Sequence, residues 1–224
     1  FALNIQYGVY GGGLDVLHGP FQLYDSTILR FSVSGGHLNP AFTLTMCLLG
    51  QCPWWKLPIF SVVQTMGAFL GAGTVYMLYY DAIHSYSNGT LAVTGPRETA
   101  SIFATYPAPY LSLGNGFFDQ VGPAVLGTGV LILSILAIID SRNRRVPHGL
   151  EPIAVGLLVT ALGLAMGANC MCAINPARDL GPRLFTYLAG WGPQVFSRNG
   201  GLGVRSLEAK SPRVRKQGVT KSGV

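Results

Sequence analysis

Three stretches of this 224-residue chain contain no Lys, Arg, Asp or Glu: Leu57–Tyr80, Gln120–Ile139 and Pro152–Ala177. A helix crossing the hydrocarbon core of a bilayer needs about 20 mostly apolar residues, and each stretch has that length. Buried helices of soluble proteins seldom lack charge over such a length three times in one chain. Only 11% of the residues are charged, against about 25% in soluble domains. The expected class is an all-α membrane protein.

The formal net charge of +6 does not describe the apolar part. Residues 1–197 hold eight Lys/Arg and eight Asp/Glu, whereas residues 198–224 hold seven Lys/Arg against Glu208 alone. Basic tails bind anionic lipid or nucleic acid in some proteins; here a solvated, disordered tail is expected, with no nucleic-acid partner. Residues 1–30 are Gly-rich and lack both a spanning helix and a signal-peptide pattern. The chain thus divides into a non-spanning segment (1–30), a membrane domain (31–197) and the basic tail (198–224).

One short motif occurs twice, as Asn39-Pro40-Ala41 and Asn175-Pro176-Ala177, 136 residues apart. Asn is a strong helix N-cap, Pro fits the first helical position, and Ala is the best helix former. Each copy therefore marks the start of a short helix. Arg142, Arg144 and Arg145 form a basic loop, which the positive-inside rule places in the cytoplasm. The connection 81–119 then faces outward, in agreement with the sequon Asn88-Gly89-Thr90 within it. Three spans between the motifs give the second copy the opposite orientation. Two half-helices entering from opposite faces would meet with their N-termini together. Non-helical backbone at that depth is tolerated where it is buried in protein or lines a water-filled cavity. Two positive helix ends would repel cations, while the Asn39 and Asn175 amides could donate to a small neutral solute.

Ser34-Gly35-Gly36-His37-Leu38-Asn39-Pro40-Ala41 and Ala173-Ile174-Asn175-Pro176-Ala177-Arg178-Asp179-Leu180-Gly181-Pro182-Arg183 resemble the paired signatures of the aquaporins. Asp179, directly after Arg178, is similar to the glycerol-conducting branch, the aquaglyceroporins. The stretch from Thr94 to Leu113, with Ile102-Phe103-Ala104-Thr105-Tyr106-Pro107, resembles one member of that branch in particular. The resemblance implies pore donors at Asn39 and Asn175, a cationic constriction at Arg178, and further filter positions at Gly163 and Cys172. Small residues at those two positions imply a wide constriction passing water, glycerol and urea. It also implies a homo-tetramer in the plasma membrane. His37 is either a gating residue or a support for its loop, and Asn88 is a glycosylation candidate. No catalytic pair, metal cluster or cofactor motif stands out, so neither an enzyme nor a metal site is expected, and the four cysteines read as apolar fillers.

The family pattern has six spans, and this sequence displays three. The expected fold is an incomplete inverted repeat with two re-entrant half-helices. The rival expectation is a truncated, non-conducting relative, retained in the endoplasmic reticulum or associated with full-length subunits. Met171 would narrow the outer pore, and Gly122-Pro123-Ala124 would kink the second span or change its register.

Overall fold

The computed structural model describes residues 36–106, 122–140, 142, 146–147, 149–170 and 173–196. The expectations for residues 1–30 and 198–224, for Cys172 and Met171, and for Arg144 and Arg145 lie outside the described residues.

Among the described residues six α-helices follow one another: α1 (Pro40–Leu48), α2 (Lys56–Leu78), α3 (Tyr80–Ser87), α4 (Gly122–Ile139), α5 (Glu151–Cys170) and α6 (Pro176–Thr186). No strand occurs among the described residues. α1 and α6 start alike. Asn39 and Asn175 are extended (φ −139 for both, ψ 124 and 107), their side-chain oxygens accept from the first-turn amides, and Pro occupies N1. α1 stops where Gly50 turns to φ +70, a backbone conformation that costs glycine little.

α2 is long and apolar enough to cross a membrane, and only 22% of its most apolar window is buried in the chain. A core helix of a soluble protein would be mostly covered; this one exposes Ile59, Val62, Val63, Met66, Leu70, Met77 and Leu78. So large an exposed apolar face calls for lipid or a protein partner. Ala124–Ile139 and Glu151–Gly167, in α4 and α5, are apolar but shorter. Trp54 and Trp55 are exposed just before α2, with the Lys56 ammonium 5.6 Å from the Trp55 ring centre.

Two local expectations change. Pro123 does not interrupt the second apolar stretch, because α4 begins at Gly122 and the proline falls in its first turn, where no intrahelical donor is needed. The polar connection after Tyr80 is not irregular throughout. α3 forms there because Tyr76, Tyr80 and His84 recur at intervals of four and their rings meet, Tyr76 edge-on to Tyr80 and Tyr80 tilted over His84, with ring centres 5.4 Å and 4.2 Å apart. The Tyr76 hydroxyl and His84 Nε2 lie 3.0 Å apart, and Ile83 is fully buried on the same helix.

The main core joins the end of α2 to α3, to the segment 93–106 and to the turn after α6, through Val75, Ile83, Val93, Phe103, Trp191 and Val195. Trp191 Nε1 donates to Thr99 Oγ1 at 3.0 Å. A second cluster, Leu131, Leu162 and Ile174, packs α4 and α5 beneath the second motif. The most intimate contact is between α2 and α6. A Cβ on Gly181 would lie 2.5 Å from the Thr65 carbonyl oxygen, 2.8 Å from the Ala68 Cβ and 2.8 Å from the Phe69 nitrogen. A Cβ added at Gly73 would meet the Phe185 ring and one at Gly127 would meet Ile174 and Met166, whereas one at Gly67 or Gly129 would enter open space.

Candidate functional site

The two helix N-termini meet. Asn39 Oδ1 accepts from the Ala41 amide at 2.9 Å, capping α1. Asn175 Oδ1 accepts from the Ala177 and Arg178 amides at 3.1 and 3.3 Å, capping α6. With the oxygens occupied by the caps, the nitrogens cross over. Asn39 Nδ2 donates to the Ile174 carbonyl at 2.8 Å, and Asn175 Nδ2 donates to the Leu38 carbonyl at 3.0 Å. Each asparagine thus binds the residue that precedes the other, with the symmetry of a two-fold clasp. A primary amide has two N–H donors, and the clasp engages one from each.

The loop entering α1 is braced against α2. The Thr43 side chain is fully buried, and its Oγ1 donates to the Asn39 carbonyl at 3.1 Å. Gln64 Nε2 from α2 reaches both the His37 carbonyl and, at 3.3 Å, Thr43 Oγ1. His37 Nδ1 also lies 3.3 Å from Thr43 Oγ1, and its ring stands edge-on to Phe42 and Phe60, both at 5.3 Å. These contacts hold His37 within the loop wall.

Around the second motif, Arg178 lies in the first turn of α6, half-buried, with Nη1 3.4 Å from the Phe103 carbonyl. Asp179 turns away from the clasp. Its Oδ1 accepts from the Thr105 amide at 2.8 Å and from the Thr105 hydroxyl, and its Oδ2 accepts from Arg183 Nε at 2.6 Å. Arg183 continues the network, donating to the carbonyls of Thr105 and Val195, and its guanidinium lies 4.5 Å from the Tyr106 ring centre. The Tyr106 hydroxyl donates to the same Val195 carbonyl at 3.1 Å. Asp179 and Arg183 therefore tie the segment ending at Tyr106 to α6, and that segment in turn supplies the carbonyl that holds Arg178.

Gly163 sits on α5, and a Cβ there would meet nothing within 4 Å. No Arg178 atom therefore lies within 4 Å of that position. Asn88 is exposed at the end of α3 in the left-handed region (φ 53), and Thr90 Oγ1 donates back to the Ser87 carbonyl at 2.7 Å. Among the described residues no group of His, Cys, Asp and Glu is placed to hold a metal ion.

Sequence reasoning missed Thr105, Arg183 and Gln64. Arg183 had a readable signal, an Asp–Arg pair at i, i+4 on a short helix. Thr105 and Gln64 had none, because they act across 74 and 27 residues respectively.

The chain matches the model of the major intrinsic protein family over residues 18–196. It is 65% identical to human aquaporin-10 over 170 residues, covering 76% of this chain and 55% of that protein. It is 56% identical to human aquaporin-9 over 164 residues (73% of this chain, 54% of the relative) and 48% identical to rat aquaporin-7 over 165 (74% and 60%). The chain thus spans little more than half the length of these relatives. Its fold is similar to the X-ray structure of the aquaglyceroporin from Plasmodium falciparum, with a TM-score of 0.73 and 27% identity over 88% of this chain and 77% of that one. A chain with the paired caps, the clasp and this match belongs to the major intrinsic protein family, the aquaporins.

Proposed function

We propose that the clasped helix N-termini form the centre of a passive channel for water, glycerol and other small neutral solutes such as urea, embedded in the plasma membrane as a homo-tetramer. The observation that carries this reading is the reciprocal bonding of Asn39 and Asn175 through the Ile174 and Leu38 carbonyls. Two helix N-termini, each equivalent to roughly half a positive charge, face one region. A cation there meets two repelling dipoles, while a hydroxyl or water can accept from the amide N–H that the clasp leaves over. Selection by charge and hydrogen bonding is sufficient for passive flux and needs no cofactor.

Arg178 would add a fixed cation at the outer constriction, held by the Phe103 carbonyl. Open space at Gly163 fits a constriction wide enough for a polyol, with Cys172 as a further small wall residue. Asp179 would act through position, fixing the segment that holds Arg178. His37 would support its loop. Asn88, exposed on a turn, is accessible to glycosylation.

Stopped-flow light scattering on proteoliposomes containing the chain tests this. Water and glycerol permeabilities are expected to exceed those of empty liposomes, and Gly163→His is expected to depress glycerol flux more than water flux. With insertion verified, permeabilities equal to empty liposomes would replace the channel with the non-conducting reading.

A further inference from the structure

Cys47 and Cys52, which read as inert fillers, are brought side by side. Past Leu48 the chain reverses at Gly50, and the amides of Gln51 and Cys52 both donate to the Met46 carbonyl, at 2.9 and 3.1 Å. Cys52 is thereby returned to the helical turn that carries Cys47. Both thiols lie 3.8 Å from one acceptor, the Pro53 carbonyl. Both are buried, Cys47 to 2% and Cys52 to 7% exposure, and neither is in a disulfide. Packing alone accounts for two buried thiols, but not for two thiols aimed at one carbonyl across a reversed turn.

We propose that Cys47 and Cys52 are a redox modification site, a dithiol that hydrogen peroxide, a small uncharged oxidant, closes into an intramolecular disulfide. A disulfide needs Cα atoms about 4.4–6.8 Å apart, a spacing that the Cys52–Met46 backbone hydrogen bond favours. The more accessible Cys52 reacts first. Its sulfur, after losing its proton to solvent, attacks one peroxide oxygen; the O–O bond breaks, and the departing hydroxide takes a proton to become water. The Cys47 sulfur then attacks the resulting sulfenic sulfur, the S–S bond forms, the S–O bond breaks, and the second oxygen leaves as water with the Cys47 proton. Two thiols lose two electrons, and one peroxide is reduced to two waters. The bridge would staple the C-terminal end of α1, the half-helix whose N-terminal end carries the Asn39 cap.

The purified full chain in detergent is treated with hydrogen peroxide, alkylated with N-ethylmaleimide and digested with trypsin. Cleavage after Arg30 and Lys56 yields a peptide whose only cysteines are Cys47 and Cys52. The expected peptide is lighter by two hydrogen atoms and unalkylated, and it regains two adducts when reduced before alkylation. Phenylarsine oxide, which binds tightly only to paired thiols, should protect both cysteines in the native chain and leave Cys47 alkylatable in Cys52→Ser. Two adducts after both peroxide and phenylarsine oxide, or separate oxidation of each sulfur to sulfinic acid without a bridge, would overturn the proposal. The native-chain measurements decide it even if Cys52→Ser misfolds.

Discussion

The Asn39 side-chain nitrogen lies 2.8 Å from the Ile174 carbonyl, across 135 residues of chain, and Asn175 returns the bond to Leu38 at 3.0 Å. Each asparagine therefore has two jobs: its oxygen caps its own helix, and its nitrogen fastens the other half of the site.

This double use sets the cost of removing either residue. Losing an Asn cap costs about 1 kcal/mol, and losing one hydrogen bond costs about another. Asn39→Ala and Asn175→Ala are each expected to destabilise the fold by about 2 kcal/mol, read as a lowered midpoint of thermal unfolding in detergent. The double variant should cost less than the sum of the singles, by at least about 0.5 kcal/mol, because either change alone loosens both loops. Strict additivity would mean that the two bonds act independently.

Gly181 and Gly67 make a matched test of helix packing. A methyl at Gly181 would press on the α2 backbone at 2.5 and 2.8 Å, and backbone cannot yield as a side-chain tip can. Gly181→Ala should cost about 3 kcal/mol or more, or abolish monodisperse protein. Gly67→Ala meets open space and should be neutral or stabilising by up to about 1 kcal/mol, since Ala favours the helix. Size-exclusion profiles and unfolding midpoints of the pair decide the matter; equal behaviour would refute the α2–α6 contact.

Arg183→Lys keeps the charge but loses the planar fork that spans Asp179, Thr105 and Val195. With the Arg183 and Asp179 side chains 16% and 27% exposed, solvent screens part of the pair, so the expected cost is about 1–2 kcal/mol, and more for Arg183→Ala. The loss should be local. Limited proteolysis is expected to open the segment near Thr105 before α2 or α5, and a uniform digestion pattern would count against the tie.

Asp140, at the exposed end of α4, has its carboxyl held below the ordinary value of 3.8, first by the hydrogen bond from the Arg142 amide (3.0 Å) and then by the Arg142 guanidinium. A depressed carboxylate pKa favours the folded form above the unfolded-state value, and that contribution is lost as pH falls through the lower folded value. A carboxyl-carbon NMR titration should place the midpoint below 3.8. Arg142→Gln should restore only part of the shift, because the backbone amide remains. A full return to the ordinary value would assign the effect to the guanidinium instead.

Some of this was legible in single residues, and some required distant ones. The paired helix starts at Asn39 and Asn175 rest on adjacent residues whose capping preferences act within one turn. Pro123 misled, because its meaning depends on where the helix begins. α3 was overlooked because its stabilising ring contacts at Tyr76, Tyr80 and His84 cross the boundary between an apolar run and a polar one. Asp179 stood out in the signature by resemblance, but its bond to Thr105 has no sequence trace, since no periodicity links residues 74 apart.

Residue order alone was enough for the membrane class, the twin half-helices and the family, because hydropathy runs and helix caps are local properties of the chain. It took the folded chain to show that the asparagines clasp each other's loops, that Gly181 is the glycine α2 cannot spare, and that Cys47 and Cys52 share one carbonyl. Those relationships arise where the chain returns on itself, and there the deciding quantity is the distance between side chains rather than their order.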